Sequence, residues 1–445
     1  MQRKTKLLLL ASILCLSLLS VTILPSTVYA YPIPDLDAQG AILLEQNSGK
    51  ILYAKNENQR FYPASTTKIL TALIVLENCE LDEIVTVGEE IKLIQKDGSS
   101  ADLEVGEKLT VKDLLNGLML PSGNDAANVL AVYVARKLTQ DATMEVAEAL
   151  QYFAALMNER AEKAGATDSH FTNPHGLHDE NHYTTPVDLA KIALAAMANP
   201  TFREIVRTEE YQADVGVSAD NLNTGKLKVW ENTNKLLDKD SKYYLKEATG
   251  IKTGFTTPAG YCLVSSASAN GLDLIGVVLN TTAPGRWNDS IKLLKFGLEE
   301  FQYVQLLKAG TEVAKVTIAN PGRKDSGELS VLATTDFVDL LHISQVSAVE
   351  KQIRWNEKVR VDNSNMLKAP IKEGQELGQL FLTLDGFVLT ESTLVAARTV
   401  KSDNLLENIF SGNFPYHWFF GGWLIFLFIT INLSGRRKRR KNIKF

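Results

Sequence analysis

The sequence predicts an α/β domain built on an antiparallel sheet, followed by a small all-β domain and a C-terminal transmembrane helix. Three observations carry that prediction: two hairpin signals more than two hundred residues apart, a helical stretch between them, and a change to short alternating segments near residue 305. Strands at both ends of a domain with helices in the middle give a sheet that closes early and late.

The first hairpin signal is the pair 41–45 and 50–54 around Asn47-Ser48-Gly49, and the second is 261–267 and 272–279 around Asn270-Gly271. Asn and Gly tolerate the positive φ that tight turns demand. Between them, Thr110 with Asp113 and Thr185-Pro186 with Asp188 are helix N-terminal signatures, and apolar residues recur at helical spacing from Met144 to Lys163. Asp188 is read as a cap rather than an acid catalyst.

From about residue 313 to 400 the pattern alternates, as in 353–355 and 359–361, and Asp385-Gly386 separates two further strand-like runs. The expected organisation is a signal peptide at 1–30, a first domain at 31–305, a small all-β domain at 306–400 and a linker at 401–415. A transmembrane helix at 416–434 and a basic cytoplasmic tail at 435–445 complete it.

The ends of the chain support export and anchoring. Arg3, Lys4 and Lys6 precede an apolar run from Leu7 to Leu24 and then Val28-Tyr29-Ala30, the three parts of a cleavable signal. Residues 418–433 are uncharged, Tyr416, Trp418 and Trp423 suit an outer interface, and Arg436 to Lys441 follow, which places the tail in the cytoplasm. The protein is thus expected in the cell membrane with its domains outside.

Of 47 basic residues, three lie in the first thirty and seven in the tail, leaving 37 against 52 acidic residues, a net −15 over 31–435. That excess argues against nucleic acid as a partner. Past the signal only Cys79 and Cys262 remain, read as two small core residues with a single bridge left open.

Three short motifs occur in order: Ser65-Thr-Thr-Lys68, Ser122-Gly-Asn124 and Lys252-Thr-Gly254. An apolar run follows Lys68, so Ser65 and Lys68 fall three apart on one face at the first turn of a helix. A serine hydroxyl attacks well only when a neighbour takes its proton, and an amine can do that if burial or another cation lowers its pKa. Read alone, Ser65 is an N-cap and Lys68 a solvated side chain. Ser122 to Asn124 read as a loop between two helices, and Lys252 to Gly254 as an edge strand beside a cleft, where Gly250 and Gly254 allow close backbone approach. His175, His178 and His182 share a segment rich in turn formers, so a loop is expected there rather than a metal site. No cofactor and no metal are expected.

The three motifs together resemble the penicillin-recognising serine enzymes, whose β-lactamase/transpeptidase-like domain has helices on both faces of its sheet. The nearer resemblance is to the low-molecular-mass penicillin-binding proteins that are serine-type D-Ala-D-Ala carboxypeptidases. It rests on Pro-Ala-Ser65-x-x-Lys68, Ser122-Gly-Asn124-Asp-Ala-Ala, Asn173-Pro-His-Gly-Leu177 and Gly250-Ile-Lys-Thr-Gly254 followed by Ala259-Gly-Tyr. The resemblance implies removal of the terminal D-alanine from peptidoglycan stem peptides, with Ser65 as nucleophile, Lys68 as base and β-lactams as covalent inhibitors. It further implies that Ser122 relays a proton, that Asn124 holds substrate backbone, and that Lys252 and Thr253 of Lys252-Thr-Gly254 bind the terminal carboxylate and keep Lys68 deprotonated. The N–H groups of Ser65 and Phe255 would form the oxyanion hole. Phe255 stands where relatives carry a small polar residue or His, and Arg286 is similar to an arginine near their carboxylate site, although it reads equally as a surface residue. A β-lactamase is disfavoured because no Glu-x-x-Leu-Asn segment occurs, and an α/β-hydrolase because no Gly-x-Ser-x-Gly does. A D,D-endopeptidase of the same fold stays open. A non-catalytic wall-binding protein would be expected to lose Ser65, Lys68 or Lys252, and none is lost.

Overall fold

Alternating side chains on five strands build the frame of the first unit. A computed structural model describes residues 33–94, 98–215, 227–361, 365–403 and 421–431. The described residues divide into two units, one running to Tyr303 with Leu340–Ile343, the other comprising Val304–Asp339 and the chain from Ser344 on. The expected signal at 1–30 and most of the linker, 404–415, lie outside the described residues.

Strands β1 (Gly40–Glu45), β2 (Ile51–Lys55), β3 (Ala248–Thr256), β4 (Gly260–Ala269) and β5 (Leu272–Thr281) form one sheet in the order β2-β1-β5-β4-β3. Every neighbouring pair is antiparallel, and β1 lies on β5 with Ala41 opposite Val278. The two hairpins seen in the sequence therefore join edge to edge. Their turns use φ of 68° at Gly49, 56° at Asn270 and 77° at Gly271, the left-handed region where Gly and Asn are least strained.

Because successive strand residues face opposite ways, the sheet feeds two cores. Ile42 and Leu44 enter the larger, helical one, while Ala41 and Leu43 pack with Trp287, Leu293 and Leu294 on the other face. That second face is covered by the helix Gly285–Glu300. The larger core is organised around α1 (Lys68–Asn78), whose residues Lys68 to Val75 are all buried, as befits a helix apolar on every side. Around it lie α2 (Val111–Met119), α3 (Asn124–Thr139), α4 (Val146–Lys163), α5 (Pro186–Met197) and α6 (Pro200–Arg207), followed in chain order by α7 (Gly285–Glu300).

The helix starts follow the sequence signals. Thr110 and Asp113 form a reciprocal capping box on α2, and Thr185 caps α5 through the Asp188 N–H with Pro186 in the first turn. Each side chain satisfies a donor or acceptor that the helix end leaves free, a contribution of about 1 kcal/mol.

In the second unit, β6 (Glu312–Ala319), β7 (Glu328–Ala333), β8 (Glu350–Trp355), β9 (Leu367–Lys368), β10 (Glu376–Leu384) and β11 (Phe387–Ala396) form a sheet ordered β8-β10-β11-β7-β6-β9. Leu329, Val331, Leu380, Leu382 and Leu394 fill its core. Asp385-Gly386 turns β10 into β11 at φ of 51° and 82°. The strand expected at 359–361 does not form: the Asn356 carbonyl accepts the N–H groups of Val359 and Arg360, so the chain turns there, and Arg360 makes only an isolated bridge to Leu367.

Of the expected span 416–434, residues 421–431 are described and helical, with Phe426 and Phe428 exposed, and the remainder lies outside the described residues. Among the described residues no helix is long and apolar enough to cross a membrane. Eleven residues reach about half the ~20 that crossing needs.

Candidate active site

The chain enters α1 through a tighter turn than the sequence suggested. Ala64–Thr67 is a 3-10 turn, and the α-helix begins only at Lys68. In a 3-10 turn residues three apart eclipse one another, which brings Lys68 Nζ to 2.9 Å from Ser65 Oγ. Ser65 is half-buried while Ala64, Thr66, Thr67 and Lys68 are buried, so its hydroxyl is the reachable group.

Lys68 Nζ also donates to Asn124 Oδ1 at 2.7 Å and to the His175 carbonyl at 2.9 Å. Neither of those oxygens carries a proton. When Lys68 is neutral it keeps two N–H bonds to them, and its lone pair is left for the one partner that has a proton to give, Ser65 Oγ–H. Burial, first, and then the positive charge of Lys252 hold Lys68 well below the usual lysine value.

The His175 carbonyl is placed by a loop that the sequence marked only as turn-rich. Thr71 Oγ1 donates to the Pro174 carbonyl at 2.6 Å, and Asn173 Oδ1 accepts the Gly176 N–H at 2.7 Å. Gly176 has φ of 85°, and a Cβ there would sit 1.9 Å from the Ala64 carbonyl oxygen, so only glycine lets the loop lie against the Ser65 turn. His182 Nδ1 accepts the Thr172 N–H, which assigns its proton to Nε2, 2.9 Å from Thr67 Oγ1. Burial keeps His175 and His182 neutral, with pKa values pushed down to about 3. Among the described residues no three metal-ligating side chains gather.

Ser122 and Asn124 occupy the α2–α3 junction. Ser122 takes φ of 66°, strained for a non-glycine residue, and Asn124 opens α3. The junction is held by Asp125, whose carboxylate accepts from Ser100 Oγ and from the N–H groups of Ala101 and Leu103. Among the described residues Ser122 Oγ is buried without a hydrogen-bond partner.

Across from them runs β3, the edge of the sheet. A Cβ on Gly254 would lie 3.1 Å from the Pro63 carbonyl oxygen and 3.2 Å from Ser65 N, so glycine lets the edge backbone press against the Ser65 turn. Thr253 Oγ1 pairs with Thr233 Oγ1 at 2.9 Å. Among the described residues Lys252 Nζ is buried without a hydrogen-bond partner, and so is Nε of the half-buried Arg286. Burial and then the charge of Arg286 push Lys252 down to about 7, and burial outweighs the Lys252 charge in holding Lys68 down. Phe255, on this edge strand, is 49% exposed. Cys79 is half-buried, Cys262 is buried, and both are free. Burial pushes both thiols up to about 11, so neither supplies a thiolate.

Lys68 thus touches both Ser65 and Asn124, with Gly254 against Ser65 and with Lys252 close enough for its charge to act on Lys68. Sequence reasoning missed the His175 carbonyl, because a main-chain acceptor has no residue-type signature. Gly176 was legible as part of a turn and of the motif Asn173-Pro-His-Gly-Leu177 that carries the resemblance, but not for its approach to Ala64.

A helix-borne Ser-x-x-Lys facing a Lys-Thr-Gly edge strand on an antiparallel sheet defines the class of protein: a serine enzyme of the penicillin-binding, transpeptidase-like kind. Comparison narrows the class. Residues 27–283 match the family model described as D-alanyl-D-alanine carboxypeptidase, and residues 301–402 match that of the C-terminal domain of penicillin-binding protein 5. The chain belongs to the D-alanyl-D-alanine carboxypeptidase family, a family of serine hydrolases that act on peptidoglycan peptides and are penicillin targets. The carboxypeptidase DacF of Bacillus subtilis is 32% identical over 375 residues, 82% of this chain and 86% of that protein. DacA of Escherichia coli is 30% identical over 400 residues, 87% of this chain and 90% of that one. Among solved structures, DacD from Francisella tularensis superposes with a TM-score of 0.61 at 27% identity, covering 84% of this chain and 96% of that one. The Streptomyces K15 DD-transpeptidase gives 0.54 at 36% identity, covering 60% of this chain and 98% of that one.

Proposed function

We propose that Ser65 is the acylated nucleophile, that Lys68 is its base, and that the reaction releases the terminal D-alanine of a stem peptide. The observation that carries this reading is the set of three acceptors around Lys68 Nζ, of which only Ser65 Oγ has a proton to surrender. Ser65 Oγ attacks the carbonyl carbon between the two D-alanines while its proton passes to Lys68. The negative oxygen so formed is received by the N–H groups of Ser65 and Phe255, the former at a helix start whose dipole favours negative charge. Ser122 carries a proton to the departing amine, the C–N bond breaks, and an ester to Ser65 remains until water returns the enzyme. Asn124 holds both Lys68 and the substrate backbone. Lys252, Thr253 and Arg286 receive the terminal carboxylate, and Gly254 gives the substrate backbone room along the edge strand. A β-lactam enters the same chemistry, but ring opening leaves no departing group, so its ester persists.

The same reading extends to location. Residues 1–30 direct export, residues 31–305 form the peptidase domain and 306–400 the β domain, and 401–415 link them to a span at 416–434 in the cytoplasmic membrane, with 435–445 inside. The uncharged run 418–433 and the basic cluster after it support this.

The decisive experiment measures D-alanine released from a pentapeptide ending in D-Ala-D-Ala, and the mass of the Ser65 peptide after penicillin treatment. The proposal expects release, and an adduct of the whole drug that lasts minutes or longer. An adduct gone within seconds, with drug consumed, would make the enzyme a β-lactamase. No adduct and no release would leave a wall-binding protein.

A further inference from the structure

Arg286 is a partly buried cation without a counter-ion. Among the described residues its guanidinium has no ion-pair partner, and its buried Nε has no hydrogen bond. Such a charge normally needs a carboxylate to hold it. Here two aromatic rings stand in that place: its central carbon lies 4.7 Å from the Tyr261 ring centroid and 4.5 Å from that of Trp287. Each ring is fixed in turn. Trp287 is buried and packs on Tyr243 at 5.9 Å, and Tyr261 stacks on Phe255 at 4.3 Å with 28° between planes.

The sheet register explains the stack. Phe255 on β3 and Thr281 on β5 are the direct cross-strand neighbours of Tyr261 on β4, so the three project from the same face. Arg286 follows just past the end of β5, in the first turn of α7. A ring face attracts a guanidinium without accepting its N–H groups in conventional hydrogen bonds and without cancelling its charge. A carboxylate in the same place would do both and would compete with any incoming anion.

We infer that Tyr261 is a positioning residue of the carboxylate site: its ring holds the Arg286 guanidinium against Trp287, still charged and with free donors, for the terminal carboxylate of the substrate. The inference rests on the proposed reading of Arg286 and Lys252 as that site. Lys252 Nζ, another buried donor without a hydrogen-bond partner among the described residues, feels the Arg286 charge, which places the two cations in one neighbourhood. Phe255 then acts as the outer stop of the stack, a role for its ring that is separate from its main-chain N–H.

The test uses the full chain and two peptides, one ending in D-Ala-D-Ala with a free carboxylate and the same peptide with a C-terminal amide. Tyr261→Leu removes the ring face and Tyr261→Phe keeps it. Tyr261→Leu is expected to raise KM for the carboxylate peptide about tenfold, to keep kcat within about twofold, and to shrink the preference for carboxylate over amide by the same tenfold. Tyr261→Phe should restore that preference. Arg286→Gln should lose the preference by itself, and adding Tyr261→Leu to it should cost no more, because the two act as one unit. A Tyr261→Leu protein that loses both substrates equally, or a double variant whose losses add, overturns the inference and leaves Tyr261 a packing residue. If Arg286→Gln keeps the full preference, the reading of Arg286 falls and takes the inference with it. Should Tyr261→Leu fail to fold, Tyr261→Thr is measured against Tyr261→Phe by the same ratio, and an unchanged ratio overturns the inference.

Discussion

Lys68 Nζ sits 2.9 Å from Ser65 Oγ with its other two hydrogen bonds committed to Asn124 Oδ1 and the His175 carbonyl. On the proposed reading of Ser65 as nucleophile and Lys68 as its base, the two act as one unit. Ser65→Ala is expected to abolish both the penicillin adduct and D-alanine release, and Lys68→Ala to depress both by several orders of magnitude. Mass spectrometry of the labelled peptide checks this, and labelling that persists in Ser65→Ala would mean that another residue is the nucleophile.

Gly176 should be as intolerant as the motif residues. Its φ of 85° and a Cβ position 1.9 Å from the Ala64 carbonyl oxygen leave no room for a methyl group without moving the Ser65 turn. Gly176→Ala is expected to slow acylation at least about a hundredfold, since small displacements of reacting groups are costly. Gly165→Ala is the control: φ is similar at 82°, but the nearest atom is Lys191 Cδ at 3.7 Å. It should lose only about 1–2 kcal/mol of stability and keep turnover. Equal activity in the two variants would refute the steric account.

The pH profile of kcat/KM should be a bell. The acid limb rises as Lys68, held well below the usual lysine value by burial and by Lys252, loses its proton. On the proposed reading of Lys252 as a carboxylate-binding group, the alkaline limb falls as Lys252, at about 7, gives up its charge. Because the Arg286 charge helps to push Lys252 down, Arg286→Gln should move the alkaline limb to higher pH while lowering the whole curve. Stopped assays across pH 5–10 read the limb, and a limb unmoved in Arg286→Gln would exclude Lys252 as the titrating group.

At Phe255 the main chain and the ring are separable. Phe255→His keeps the N–H and a planar ring for Tyr261 to stack on, so turnover should stay within about tenfold. Phe255→Pro removes the N–H, and losing an oxyanion donor typically costs about 10²–10³-fold. Similar mild effects in steady-state turnover would remove Phe255 from the oxyanion hole.

Deleting residues 411–445 should release an active, soluble protein outside the cell, as the uncharged run and the basic cluster in that segment imply. Retention of the truncated chain on membranes after a high-salt wash would place the anchor elsewhere.

By itself the sequence determined the local structures and the identity of the chemical groups. Turn chemistry at Asn47–Gly49, Asn270-Gly271 and Asp385-Gly386, caps at Thr110 and Thr185, and the order of Ser65-x-x-Lys68, Ser122-x-Asn124 and Lys252-Thr-Gly254 are all written in residues a few positions apart. Such features depend on short-range backbone sterics and hydrogen bonds. Tertiary structure decided what distant segments do to one another. It brought the His175 carbonyl to Lys68 across more than a hundred residues, set Gly176 against Ala64 with no room for a Cβ, and gave Arg286 aromatic neighbours instead of a carboxylate. It also buried Lys68 and Lys252, and burial more than neighbouring charge sets their pKa values. Desolvation and close approach are properties of a position in space, and a residue's type fixes only how strongly it responds to them.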